Sequence, residues 1–380
     1  MGQNKDYEII PNFIKSTNGQ NHDIIETLFP DKNYENYDRE SFKKDCPNND
    51  YQPIILPPQR RIVVIGDLHG DYDLTINSLK VAGVIDDKLN WIGKDTVIVQ
   101  VGDQVDRCRP FDFKCDHPNA TLNDEASDIK IMKLFNKLNE KAKKVGGSVY
   151  SLLGNHELMN SLGNLNYVSY EGLREFDNYK DPKTGEVIKD GKEARTHAFK
   201  PGNELATMMG CSRVPSVIIG SFIFVHAGIV PKFLDVANIK SRKDLFKLNF
   251  AIRKWLLGLI NKDYVKNIVN SLKFSMFWDR ILGSIPPNLS NENDKCVDYL
   301  YPVLKIFKVK SMVVGHTPQF FNNKEGINKT CNGGLWRVDT GGSDAFTKFD
   351  NEYSKNGSIM NLREVQVLEI INDKTINILK

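Results

Sequence analysis

Four of the seven histidines in the chain sit in short motifs beside carboxylates or an asparagine. The motifs are Gly66-Asp67-Leu68-His69-Gly70, Gly102-Asp103-Gln104-Val105-Asp106-Arg107, Gly154-Asn155-His156-Glu157, His226-Ala227-Gly228 and Gly315-His316-Thr317-Pro318. Mixed oxygen and imidazole donors suit manganese, iron or zinc, whereas an all-oxygen set would favour magnesium or calcium. Two such ions sharing one bridging carboxylate can ionise a water at neutral pH and clamp both oxygens of a phosphoryl displacement. A histidine is also suited to deliver a proton to a departing alcohol, and Asp106, three residues beyond Asp103, can face the same cleft and orient that ring. Arg107 offers a fork of donors that matches phosphate geometry.

Each motif follows a run of apolar, largely β-branched residues: Arg61–Ile65, Thr96–Val101, Ser148–Leu153, Phe222–Val225 and Met312–Val314. Continuous apolar runs are the pattern of strands covered on both faces, so these five are expected to be central strands whose polar ends converge on one edge. Asp71–Ala82 reads as a helix with a loose stripe of Leu74, Leu79 and Val81. Ala126–Val145 reads as an amphipathic helix, with Ile129, Met132, Phe135 and Leu138 on its buried face. Strand–helix–strand order predicts a parallel βαβ unit, whose ligands lie at strand C-termini. Val365–Ile371 and Ile376–Leu379 read as closing strands, and Trp336–Gly342 as the end of another strand near the site.

Taken in order, GDLHG, GDQVDR, GNHE, HAG and GHTP resemble the metallophosphoesterase (calcineurin-like) superfamily and, within it, the phosphoprotein phosphatases. Cys108, Ala227 and Val314 stand where many eukaryotic members differ, which looks closer to the bacterial-like branch that includes the Shewanella-like phosphatases. The resemblance implies an α/β fold, a four-layer α-β-β-α sandwich of two mixed sheets. It implies two divalent ions, manganese first and iron or zinc as alternatives. Asp67, His69 and Asp103 would hold one ion, and Asp103, Asn155, His226 and His316 the other, with a metal-bridging hydroxide as attacking group. His156 would be the general acid oriented by Asp106, and Arg107 would grip the phosphoryl oxygens. Met276-Phe277-Trp278-Asp279-Arg280 resembles the segment that brings a second cation, Arg280.

The implied reaction is hydrolysis of phosphomonoesters on a protein or peptide, at serine or threonine and conceivably tyrosine. A hydrolase of dinucleoside polyphosphates or another small phosphoanhydride is the alternative. A catalytically silent phosphoprotein binder is a third reading, disfavoured because a scaffold has no use for His156 and Asp106 together.

A single catalytic domain over 61–380 is expected to follow an N-terminal extension over 1–60, with a loop-rich cap at about 160–213 and a helical segment at about 237–277. A formal charge of +3 with 26% charged residues gives no footprint for nucleic acid or an anionic membrane. The N-terminus lacks an apolar leader core, no run approaches a spanning length, and Asp6 disfavours myristoylation of Gly2, so a cytoplasmic setting is expected. The sequons at Asn119, Asn288, Asn328 and Asn356 are then taken as accidental. The six cysteines form no CxxC and are expected to be unpaired thiols; Cys108 and Cys115 are the pair whose joining would shape the lip beside Arg107. His22, His117 and His197 follow no strand and are expected to be ordinary side chains.

Overall fold

Alternation along the apolar runs decides the layers. A computed structural model describes residues 33–270, 272–350 and 363–380. The strands in chain order are β1 (Ile55–Leu56), β2 (Arg61–Ile65), β3 (Val97–Gln100), β4 (Ser148–Leu152), β5 (Tyr179–Lys180), β6 (Val187–Ile188), β7 (Arg213–Val214), β8 (Ser216–Ile219), β9 (Phe222–Val225), β10 (Ser311–Val314), β11 (Asn328–Thr330), β12 (Leu335–Arg337), β13 (Val367–Ile371) and β14 (Thr375–Leu379). They form two six-stranded mixed sheets, ordered β14-β13-β2-β3-β4-β7 and β1-β8-β9-β10-β12-β11, and the small β5–β6 hairpin. On β2 and β3, Ile62, Val64, Val97 and Val99 join the large core shared with the second sheet. Their neighbours Val63, Ile65 and Ile98 point the other way, into a core closed by Leu79, Ile131, Phe135 and Leu138. Those four come from the helices Tyr72–Val81 and Asp128–Lys143, so helices cover the outer face of the first sheet. Pro231–Val236 and Tyr301–Phe307 pack against the second sheet through Phe233, Val303 and Phe307.

β2, β3 and β4 run parallel in register Ile62↔Val97 and Val97↔Ser148. β9, β10 and β12 are likewise parallel, in register Phe222↔Ser311 and Met312↔Leu335. Both triplets therefore deliver their C-terminal loops to one edge. Asp71 caps the helix that follows the first motif by accepting from Leu74 N at 2.9 Å. In the Asp128–Lys143 helix Ile131 and Ala142 are buried and Ile129 only partly so; the buried stripe starts at Asp128, whose carboxyl is drawn inward by Arg195.

Three expectations need correction. The insertion over 160–213 is more regular than a loop-rich cap, carrying the helices Tyr170–Arg174, Gly191–Phe199 and Glu204–Ser212 besides the β5–β6 hairpin. Ser169 and Asp190 act as side-chain caps, accepting from Gly172 N at 3.2 Å and Glu193 N at 2.8 Å. The turn read at Asp181–Gly185 is present, closed by Gly185 N to Asp181 O at 2.8 Å with Gly185 at φ +75°. The segment 237–277 is broken, with one long helix, Leu245–Leu256, then short turns at Lys262–Tyr264 and Lys266–Val269.

The cysteines are the third correction. None of the six is free: Cys46 pairs with Cys211, Cys108 with Cys115 and Cys296 with Cys331. Sequence separations of 165, 7 and 35 residues leave no local spacing signal for the first and last of these. Cys46–Cys211 ties the end of the Tyr34–Asp45 helix to the insertion, and buried Asp38 meets Arg253 at 2.8 Å and accepts from Asn249 at 3.0 Å. Residues 33–60 thus dock on the catalytic body, and β1 pairs with β8. His22, Gly2 and Asn356 lie outside the described residues. Among the described residues no helix is long and apolar enough to cross a membrane.

Cys46→Ser with Cys211→Ser should lower stability by roughly 2–4 kcal/mol, because the bond restrains a long loop of the unfolded chain. The thermal midpoint with and without reductant checks this: the wild type should fall on reduction, and the double variant should show a smaller further change.

Candidate metal centre

Asp67 and His69 lie just beyond β2, Asp103 and Asp106 beyond β3, Asn155 and His156 beyond β4, His226 beyond β9 and His316 beyond β10. All eight are buried. Donor atoms of Asp103, His69 and His156 fall within 4.8 Å of one another, as do those of Asp103, His226 and His316. Asp103 is common to both groups, the geometry a bridging carboxylate needs. Asp103 Oδ2 is 3.3 Å from His226 Nε2 and 3.9 Å from His69 Nε2. Asn155 Oδ1 lies 2.9 Å from His226 Nε2.

Backbone carbonyls orient the rings. His226 Nδ1 is 2.9 Å from Val101 O and His69 Nδ1 is 3.3 Å from Val105 O, which turns each Nε2 inward. His69, Asp103, Asp106 and His316 all have positive φ, of 46°, 54°, 73° and 66°. Such conformations cost energy for non-glycine residues and persist only where surroundings impose them. Here those surroundings include Glu157, which accepts from Asp103 N at 2.9 Å, Gln104 N at 2.7 Å and Gly154 N at 2.7 Å. Gly154 is needed for close approach, since a Cβ there would come within 2.1 Å of Asp103 Oδ1.

The electrostatics are those of a site that expects cations. Burial, with Asp339 and Asp103 nearby, pushes the Asp67 carboxyl well above the usual range. Asp339, two residues past the end of β12, is pushed up to about 6 by burial, partly opposed by the Gly341 N–H. Burial also works against Asp103, yet His226, His156 and His69 together hold it well below its ordinary value. Asp67 Oδ1, His316 Nε2 and Asp339 Oδ2 are buried without a hydrogen-bond partner. Orphaned ligand-type atoms converging on shared carboxylates fit divalent ions well.

His156 Nδ1 lies 2.8 Å from Asp106 Oδ2. Asp106 Oδ1 accepts from Asn160 at 2.9 Å and lies 3.3 Å from Arg195 Nη2. Arg195 is 0% exposed and also bonds Asp128 at 2.7 Å and Asn160 at 2.8 Å. The insertion thus sends a cation under the Asp106–His156 pair. Arg280 reaches the opposite side, its Nη1 3.4 Å from His316 O. Arg107 is different: its guanidinium is engaged by Asp71, Glu125 and Asp344 at 3.5, 3.0 and 3.3 Å. His197 is held by Asp181 at 2.5 Å and His117 stacks on Phe113, both apart from the cluster. Arg195, Asn160 and Asp339 escaped sequence reasoning; the strand end before Asp339 was the one available signal.

This fold and donor set define a metal-dependent hydrolase of phosphate esters. The chain belongs to the calcineurin-like phosphoesterases, which it matches over residues 60–320. It is 43% identical to an uncharacterized protein of Acanthamoeba polyphaga mimivirus over 65% of this chain and 98% of that protein. It is 28% identical to Shewanella-like protein phosphatase 2 of Arabidopsis thaliana, over 74% of this chain and 71% of the relative. A cold-active protein tyrosine phosphatase structure shares the fold with a TM-score of 0.59 at 19% identity, over 90% of this chain and 83% of the other.

Beside the Arg195 network, Glu175 is pushed up to about 7, by burial first and by Asp128 second. Its folded-state pKa lies above the unfolded 4.5, so its contribution to stability is intact below pH 4.5 and lost as pH rises through 7. Glu175→Gln should therefore leave stability unchanged near pH 4 and raise it at pH 8, by about 2 kcal/mol at most. Thermal unfolding at the two pH values checks this.

Proposed function

We propose that the chain is a phosphoprotein phosphatase with a dinuclear centre, acting on phosphoserine or phosphothreonine in proteins or peptides. The observation that carries this is the Asp106–His156 pair set against a carboxylate, Asp103, common to two donor groups. Asp67, His69 and Asp103 would hold one ion, and Asp103, Asn155, His226 and His316 the other; manganese is the first choice, with iron or zinc as alternatives. Bound ions supply Lewis acidity and lower the pKa of water.

The chain's own groups do the rest. Asp106 accepts a hydrogen bond from His156 Nδ1–H and stabilises the charged ring, which leaves Nε2–H to protonate the departing alkoxide. Nε2 lies 3.9 Å from Asp103 Oδ2, so that proton is presented at the edge of the donor cluster. Asn160 and Arg195 hold Asp106 in its orientation. Arg280 adds positive charge beside His316, where phosphoryl oxygens would gather. Among the described site residues no activated side-chain nucleophile stands in position, which supports direct attack by water without a phosphoenzyme. The named protein phosphatase relative supports a phosphoprotein substrate. Three disulfides fit an oxidising setting better than a reducing cytoplasm.

After dialysis and reconstitution with manganese, about two ions per chain should be retained, with metal-dependent turnover of matched phosphoserine and phosphothreonine peptides. Asp103→Asn should abolish binding of both ions. His156→Asn should keep the metal and lose on the order of 10²–10⁴-fold in kcat. Full activity of His156→Asn would remove His156 from its role, and two bound ions with cleavage of dinucleoside tetraphosphates but not peptides would replace the substrate class.

A further inference from the structure

Two arginines follow Asp106, and their surroundings differ. Arg107 is 4% exposed, and besides its three carboxylates it donates to Gly70 O at 3.2 Å and Asn123 O at 3.1 Å. A dianionic phosphoryl group approaching it would meet Asp71, Glu125 and Asp344 in the same space, and like charges at that range repel. The geometry suits a clasp joining the loops after β2 and β3 to the turn Asp344–Phe349.

Arg109 is half-buried. Its Nη1 donates to the carbonyls of Asp106 at 3.0 Å and Cys108 at 2.8 Å. Among the described residues no carboxylate forms an ion pair with it, and its Nε and Nη2 have no hydrogen-bond partner. The guanidinium carbon lies 4.6 Å from the ring centre of Phe346 and 5.7 Å from that of Tyr167. Phe346 meets His69 edge-on at 5.6 Å, and Tyr167 meets His156 edge-on at 5.1 Å. The cation therefore lies beside two rings, each of which meets a histidine of the donor cluster edge-on. Its backbone is pinned by the Cys108–Cys115 bond and by Cys108 N to Tyr167 O at 3.0 Å.

We propose that Arg109, rather than Arg107, is the side chain that binds the phosphoryl oxygens, through its Nε and Nη2 donors, which are unpaired among the described residues. The assignment rests on the phosphatase reading above. A guanidinium packed beside two aromatic rings, with no ion-pair partner among the described residues, holds its fork of donors at little entropic cost, which favours bidentate binding of a tetrahedral oxyanion. Burial lowers the Arg109 pKa from its ordinary value, and Asp103, Asp106 and Asp339 nearby offset part of that.

The test is orthophosphate affinity, measured by isothermal titration calorimetry on the full-length, manganese-loaded protein, alongside KM and kcat for p-nitrophenyl phosphate and metal content by mass spectrometry. Arg109→Ala should weaken orthophosphate binding by about 10–100-fold and raise KM, with metal content unchanged. Arg109→Lys, which keeps the charge and loses the fork, should recover part of the loss. Arg107→Lys should lower the thermal midpoint and leave orthophosphate affinity within about threefold. Wild-type affinity in Arg109→Ala would overturn the assignment, as would loss of metal in that variant or a larger affinity loss in Arg107→Lys. Absence of turnover in the wild type would defeat the phosphatase reading alone, because the binding series still ranks the two arginines.

Discussion

The structure depends on one electrostatic constraint, a group of carboxylates gathered where water is nearly excluded. Asp67, Asp103 and Asp339 lie close enough to raise one another's cost of ionisation, and Glu157 adds a fourth acid immediately behind them. Imidazoles offset Asp103, and three backbone N–H groups satisfy Glu157. Asp67 and Asp339 keep oxygens with no hydrogen-bond partner among the described residues. A chain can hold such a group only if its ligands are fixed before the compensating cations arrive and if those cations do arrive.

Fixing is what the two sheets accomplish. Strands β2, β3 and β4 from one sheet and β9, β10 and β12 from the other end at the same edge, and their loops bond across the gap. Val101 O meets the ring of His226 at 2.9 Å, and His316 N donates to Asp67 Oδ2 at 2.9 Å. The left-handed backbone at four of the site residues shows where the cost is borne, and the packed strands behind them supply the rigidity.

The protein's cations sort by the company they keep. Arg195 is sealed beneath Asp106 and Asp128, and Asp106 in turn meets the ring of His156. Arg107 is neutralised by three acids and joins loops. Arg109 lies beside Phe346 and Tyr167, with no ion-pair partner among the described residues. Arg280 stands at the far side against a carbonyl. These roles follow from neighbours and not from sequence position, since Arg107 and Arg109 are separated by a single residue.

The sequence alone determined the candidate donor set and its frame, because a buried strand has to be apolar along its whole run and a polar donor has to sit at its end. That rule exposes Asp67, His69, Asp103, Asn155, His156, His226 and His316 in one chain. The closing hairpin β13–β14 and the turn at Asp181–Gly185 were legible for similar local reasons of alternation and turn chemistry. What tertiary structure alone decided was the pairing of groups distant in the chain. Cys46 meets Cys211 across 165 residues, Arg195 comes from an insertion with no motif of its own, and the acids that silence Arg107 come from three separate loops. Local pattern reports which face of an element is buried, but a guanidinium's partner is set by which loops fold beside it, and that depends on the whole chain.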